Sequence, residues 1–155
     1  MSAVISSNTN VEVFFESYRA AFERLDPAAI ADHFAYPAHV TSDGKEIGLI
    51  AVRSKREWAA QLERLLEMYR AIGFRSARVH ELKVTEMSPR LILANLRWEL
   101  RDAADGLLYE FQAVYTLADV GAGFRITAIA HDEMPRYREA LARRTSPDSR
   151  NNANA

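Results

Sequence analysis

Leu107-Leu108-Tyr109-Glu110-Phe111-Gln112-Ala113-Val114-Tyr115-Thr116-Leu117 reads as one long strand. After the turn Gly121-Ala122-Gly123, the run Phe124-Arg125-Ile126-Thr127-Ala128-Ile129-Ala130-His131-Asp132-Glu133 reads as a second. Both are rich in aromatic and β-branched residues and are bounded by glycine turns, the signature of an antiparallel hairpin. Long strands arriving after a helical first half imply an α+β fold in which a curved, mostly antiparallel sheet wraps on three N-terminal helices. Such a sheet closes into a cone around an internal cavity, with His131 near the end of its last strand.

Before this pair, Leu91 to Arg101 and Ala77 to Met87 are two further strands joined by the turn Ser88-Pro89, and Asp105-Gly106 makes the next hairpin. Ser54 with Glu57 forms a capping box that opens a long helix carrying Trp58, Leu62, Leu65, Leu66 and Tyr69 on one face and closing near Gly73. Nearer the N-terminus, Asp43-Gly44 separates short strands at Ala38 to Ser42 and Lys45 to Leu49. Thr9 with Glu12 is a second capping pattern, followed by the helical stripe Val11, Phe14, Phe15, Tyr18, Phe22 and Leu25. Asp26-Pro27 then starts a short helix whose core side is Ile30 and Phe34, stopped by Pro37. A last amphipathic helix follows Pro135 with Tyr137 and Leu141. The expected organisation is a flexible N-terminus over residues 1–9, one domain over 10–144, and a disordered tail over 145–155.

Strand residues alternate faces, so the inward rows can be assigned. Ile92, Ala94, Leu96, Trp98 and Leu100 point in from one strand; Leu107, Tyr109, Phe111, Ala113, Tyr115 and Leu117 point in from the next. The last strand is ambiguous. Periodicity alone buries Phe124, Ile126, Ala128 and Ala130 and exposes His131, whereas a strongly curved sheet can hide one row at one end and the other row at the far end.

Composition narrows the function. Apolar residues make up 48% of the 155 residues and the formal charge is −1, which fits a globular, soluble protein and excludes a basic nucleic-acid surface. There is no cysteine, so disulfides, thiolate catalysis and cysteine metal sites are excluded. No spacing gathers three metal ligands on one face, and no glycine-rich phosphate loop follows a strand, so neither a metal nor a nucleotide cofactor is expected. The first ten residues lack a signal peptide's basic and apolar regions, and no apolar run reaches membrane-spanning length, which makes a cytoplasmic protein the expectation.

The order of elements resembles the nuclear transport factor 2-like superfamily, the cone-shaped α+β fold that includes ketosteroid isomerases, SnoaL-type polyketide cyclases, scytalone dehydratases and limonene epoxide hydrolases. The resemblance runs from about Val11 to Tyr137. It is carried by the aromatic stripe of the first helix, the Leu25-Asp26-Pro27-Ala28-Ala29-Ile30-Ala31-Asp32-His33-Phe34 junction and the closing Gly123-Phe124-Arg125-Ile126 strand. Aligned on that junction, Tyr18 falls where ketosteroid isomerases keep an oxyanion-hole tyrosine. Their proton-shuttling aspartate falls at Ser42 and their second oxyanion aspartate at Ala113, so the resemblance does not imply ketosteroid isomerisation. It does place Ile129, His131 and Glu133 on the cavity side.

These placements make a candidate site, with Tyr18 as oxyanion donor and His131 as proton shuttle. Tyr36, Ser42, Trp58, Trp98, Phe111, Tyr115, Ile129 and Glu133 are the candidate ligand contacts. The implied activity is that of a cofactor-free isomerase, cyclase or dehydratase acting on an apolar oxygenated small molecule. The alternative is a non-catalytic small-molecule-binding or dimerisation domain whose cone is filled by side chains. The polar outer sheet face, with Arg97, Glu99, Glu110, Gln112 and Arg125, is the surface on which the fold would form a homodimer.

Overall fold

The structure, a computed structural model, describes residues 2–145, with side chains from residue 8 onward. In chain order, α1 (Ser2–Glu23), α2 (Pro27–Ala31), β1 (Phe34–Asp43), β2 (Ile47–Val52) and α3 (Lys55–Ile72) precede four strands and a helix. These are β3 (Ser76–Ser88), β4 (Leu91–Arg101), β5 (Leu107–Asp119), β6 (Phe124–His131) and α4 (Glu133–Thr145). The six strands form one curved, unclosed sheet in the order β2-β1-β6-β5-β4-β3. Every pairing is antiparallel except β1 with β6. The α+β cone expected from the sequence is the fold observed.

Local sequence explains most element ends. Ser54 caps α3 by accepting the Glu57 amide at 3.1 Å, and Glu57 reaches back to the Arg53 amide, one residue ahead of the cap, at 3.2 Å. Gly73 closes α3 at φ +85°, a left-handed position that costs glycine nothing. Asp26 caps α2 through the Ala29 amide at 3.1 Å, with Pro27 at the first helical position.

Four expectations about these elements are corrected. Helix α1 runs back to Ser2, so Thr9 lies inside it rather than at its start, and residues 2–9 are helical. Phe34 belongs to β1 and not to α2, and Pro37 sits within that strand; β1 pairs at His39 to Ser42 with β6 and at Ala38 to Asp43 with β2, so Pro37 interrupts no ladder bond there. Helix α4 starts at Glu133, ahead of Pro135, because the first turn of a helix needs no proline amide. Leu107 is exposed and Leu108 buried, because a register shift between Leu100 and Arg101 moves the inward row by one at that end of the β4–β5 ladder. The expected tail over 146–155 lies outside the described residues.

The core lies between the concave side of the sheet and α1, α2 and α3. Val11, Phe15 and Tyr18 from α1, Leu62 and Leu66 from α3, and the even row of β4 meet there. Helix α4 packs against β5 and β1, and its Tyr137 hydroxyl donates to the Met68 carbonyl of α3 at 3.0 Å. Among the described residues, no helix is long and apolar enough to cross a membrane.

Candidate active site

The ambiguity of the last strand is resolved by an irregularity in its pairing. Thr116 pairs with Ala128 but Leu117 with Ile126, so Thr127 is an extra residue and the alternation changes phase across it. Ile126 is buried before it, and Ile129 is buried after it. His131, two residues further, therefore shares the inward row with Ile129, and both line a pocket inside the cone.

That pocket is a narrow cavity of about 80 Å³. Tyr18 and His131 both line it. So do Trp58, Trp98, Phe111, Tyr115, Ile129 and Glu133. Tyr36 and Ser42 do not: the Tyr36 hydroxyl is turned to the Ala31 carbonyl at 2.7 Å, and the Ser42 hydroxyl packs against Gly48 on the neighbouring strand. Leu62, Leu65, Phe22 and Phe74 complete much of the apolar wall. No lysine or arginine lines the space.

The chemically distinctive group is Glu133. Its residue is 4% exposed, and its Oε2 accepts two phenol hydrogens, from Tyr69 at 2.5 Å and from Tyr109 at 2.9 Å. Burial penalises the ionised carboxylate, and although both phenols favour that ion, the net result is a pKa pushed up to about 7. Both hydrogen bonds go to one oxygen, Oε2. The carboxylate in turn helps to hold the Tyr69 and Tyr109 phenols far above their ordinary range, after burial itself, so they stay donors.

His131 is bonded through one ring nitrogen. Its Nδ1 accepts the Glu133 backbone N–H at 3.2 Å, and burial pushes its pKa below the ordinary value. The ring is neutral with its proton on Nε2, so it meets the pocket as a hydrogen-bond donor. Acting as a base at Nε2 requires the other tautomer, which sacrifices the bond to the amide.

Tyr18 sits in an aromatic cluster with Tyr115 and Trp98, ring centroids 6.0 and 6.2 Å away. Trp98 Nε1–H donates to the Tyr115 hydroxyl at 2.7 Å, and the Tyr18 and Tyr115 hydroxyls interact. Burial raises the pKa of both phenols, so both stay protonated, and one of the two hydroxyls donates to the other. Two other histidines are engaged away from the pocket. His33 lies between the Ala29 carbonyl and Ser17, at 2.7 and 2.9 Å, and His80 bonds Glu99 at 2.6 Å on the outer face.

A pocket with a neutral-range carboxyl, phenol donors and an apolar wall can bind an uncharged ring and move a proton on it. Sequence reasoning placed Tyr69 and Tyr109 on inward faces but did not pair them with Glu133. The partners lie 64 and 24 residues away, and no local pattern links them.

Known proteins share this architecture. Residues 7–134 match the model of a family described as NTF2-like protein (DUF6841). The chain belongs to that family. Among curated proteins, none matches it. An NTF2-like protein of unknown function from Pseudomonas putida is similar in structure, with 14% identity, a TM-score of 0.66, and 83% of this chain and 87% of that one covered. An NTF2-like protein with a cystatin-like fold from Novosphingobium aromaticivorans gives 14% identity and a TM-score of 0.65 over 89% and 90% of the two chains. A ketosteroid isomerase-like protein from Erwinia carotovora atroseptica gives 15% identity and a TM-score of 0.57 over 80% and 93%. At these identities the likeness is one of fold.

Proposed function

We propose that this NTF2-like chain is a cofactor-free proton-transfer enzyme, of isomerase, cyclase or dehydratase type, acting on an apolar oxygenated small molecule. The observation that carries the reading is Glu133: a carboxyl buried in an apolar pocket, held by two phenols, with its pKa near 7. General acid–base catalysis works best when the catalytic pKa lies near the working pH, and burial is how a carboxyl reaches that range. In this reading Glu133 takes the shuttle role that the sequence suggested for His131. Tyr18, Tyr115 and the His131 Nε2–H donate to oxygen as charge develops on it.

The test follows α-proton loss from 2-tetralone in D₂O by NMR, comparing the protein with its Glu133→Gln variant. The expected result is saturable exchange that falls by about 10²–10⁴ in the variant. Equal exchange rates in the two proteins, or no exchange above solvent, would remove the proton-transfer reading.

A second reading, a non-catalytic small-molecule binder, is favoured by the narrowness of the pocket and by its aromatic filling. On either reading we propose that two copies associate through the outer sheet face. Its charges are already matched there, with Arg97 3.6 Å from Glu110 and Arg101 paired to Glu99. Light scattering at micromolar concentration is expected to return twice the chain mass; a monomer rules the dimer out.

A further inference from the structure

Away from the pocket, a serine hydroxyl meets a histidine placed to act as its base. Ser17 is an exposed residue of α1, and neither it nor His33 lines the pocket. The Ser17 Oγ lies 2.9 Å from His33 Nε2, while the other ring nitrogen, Nδ1, lies 2.7 Å from the Ala29 carbonyl of α2. A carbonyl only accepts, so the ring carries a hydrogen on Nδ1. Burial pushes the His33 pKa below its ordinary value, against the bond to Ala29, and the Arg125 charge adds to the fall. The ring is therefore neutral at neutral pH, with a lone pair on Nε2, and the Ser17 O–H donates to it.

The base is held from several sides. The His33 backbone N–H donates to the Ile30 carbonyl at 3.1 Å, and its own carbonyl accepts the Ile126 amide at 2.8 Å. Its ring stands edge-on to Phe14 and Tyr18, with centroids 5.4 and 5.5 Å away. A serine inside a helix ordinarily turns to water or back to the carbonyl one turn earlier. This one reaches instead to a side chain 16 residues on. A nucleophile within hydrogen-bond reach of a base, with the base oriented by a third group, is the arrangement that activates serine. Here the third group is a neutral carbonyl, so a dipole rather than a carboxylate steadies the imidazolium as it forms.

We propose that Ser17 is a base-activated nucleophile that accepts acyl groups from activated esters, with His33 as its general base. Oγ attacks the acyl carbon while its proton moves to His33 Nε2. The bond from that carbon to the leaving oxygen breaks, and the leaving group departs with the electron pair as an oxyanion. The proton on His33 then passes to solvent. Because Ser17 is exposed, the ester itself decides reactivity: the acyl group is small and the leaving group is stable as an anion. This activity goes beyond the pocket chemistry proposed above and does not involve Glu133.

The full-length protein is incubated with p-nitrophenyl acetate at neutral pH and read in two ways: p-nitrophenolate release by absorbance, and the acetylated residue by peptide mass spectrometry. Ser54 and Ser88 are also exposed and serve as internal references. Ser17 is expected to be acetylated about 10²-fold faster than either, the lower end of what a positioned base contributes. Ser17→Ala, which places the best helix former at an exposed position, is expected to fold and to lose the burst of release. His33→Phe keeps a ring against Phe14 and Tyr18 but removes both nitrogens, and is expected to bring Ser17 down to the rate of Ser54 and Ser88. A bond that only staples α1 to the start of β1 would change the melting of both variants and leave Ser17 no faster than the references.

The proposal is overturned if Ser17 is acetylated no faster than Ser54 and Ser88, if release is unchanged in Ser17→Ala because the acetyl group sits on His33 or a lysine, or if His33→Phe keeps the Ser17 rate. Should His33→Phe fail to fold, the first two outcomes still decide. Glu133→Gln is expected to leave acetylation unchanged, so failure of the pocket reading and failure of this one are read separately.

Discussion

Replacing Glu133 with Gln is expected to raise the thermal midpoint strongly at pH 8 and to leave it almost unchanged at pH 4. The carboxyl has a folded-state pKa of about 7 against an ordinary value of 4.5. A group whose pKa is raised by folding stabilises the fold fully below its unfolded pKa, and that contribution is lost as pH rises through the folded value. The window for this chain is therefore about pH 4.5 to 7. The difference between the two values is worth about 3 kcal/mol at about 1.4 kcal/mol per unit. Glutamine resembles the protonated acid in being neutral, and its carbonyl can still accept from Tyr69 and Tyr109, so the variant escapes the loss.

For a chain of this length 1 kcal/mol moves the midpoint by about 2–4 °C, which puts the gain near 10 °C at pH 8. His131, pushed down by burial, has the opposite sign: its contribution is present above its unfolded pKa and is lost as pH falls. It is present in both proteins, so the difference between their melting curves isolates Glu133. A variant that gains equally at pH 4 and pH 8, or that melts earlier at pH 8, would mean that the fold tolerates the carboxylate ion and that the site is not poised. The same substitution removes the proposed proton carrier, so stability is expected to rise as exchange falls, the usual opposition between a strained site and its scaffold.

The second large effect lies away from the pocket. Leu66 is fully buried on α3 within the core and is not among the pocket-lining residues. Leu66→Ala deletes atoms from a packed layer that relaxes only in part, so transfer and cavity costs add to about 2–5 kcal/mol. Against a total stability of about 5–15 kcal/mol, that is a large share, and the urea midpoint should fall with little change in slope. A loss below about 1 kcal/mol would contradict the burial of this face of α3 in the core, because surface substitutions rarely exceed ~0.5 kcal/mol.

The architecture of this protein is legible in its linear chain. Capping pairs at Ser54 and Asp26, the alternation in β4 and β5 and the glycine turns are local signals, read within a few residues, and they specify which elements form and which faces they bury. The same signals bring Tyr18, Trp58, Trp98, Phe111 and Tyr115 to one interior, because an inward row is a property of a single strand or helix. The chemistry of the pocket is not local in this way. The extra residue at Thr127 changes the phase of β6, and the pattern of a strand cannot reveal a bulge that is defined by its partner's register. The early start of α4 turns Glu133 from the end of a strand into a buried helical carboxyl, and its two phenols arrive from α3 and β5. Burial and those long-range hydrogen bonds set its pKa, and both exist only after the chain has closed on itself.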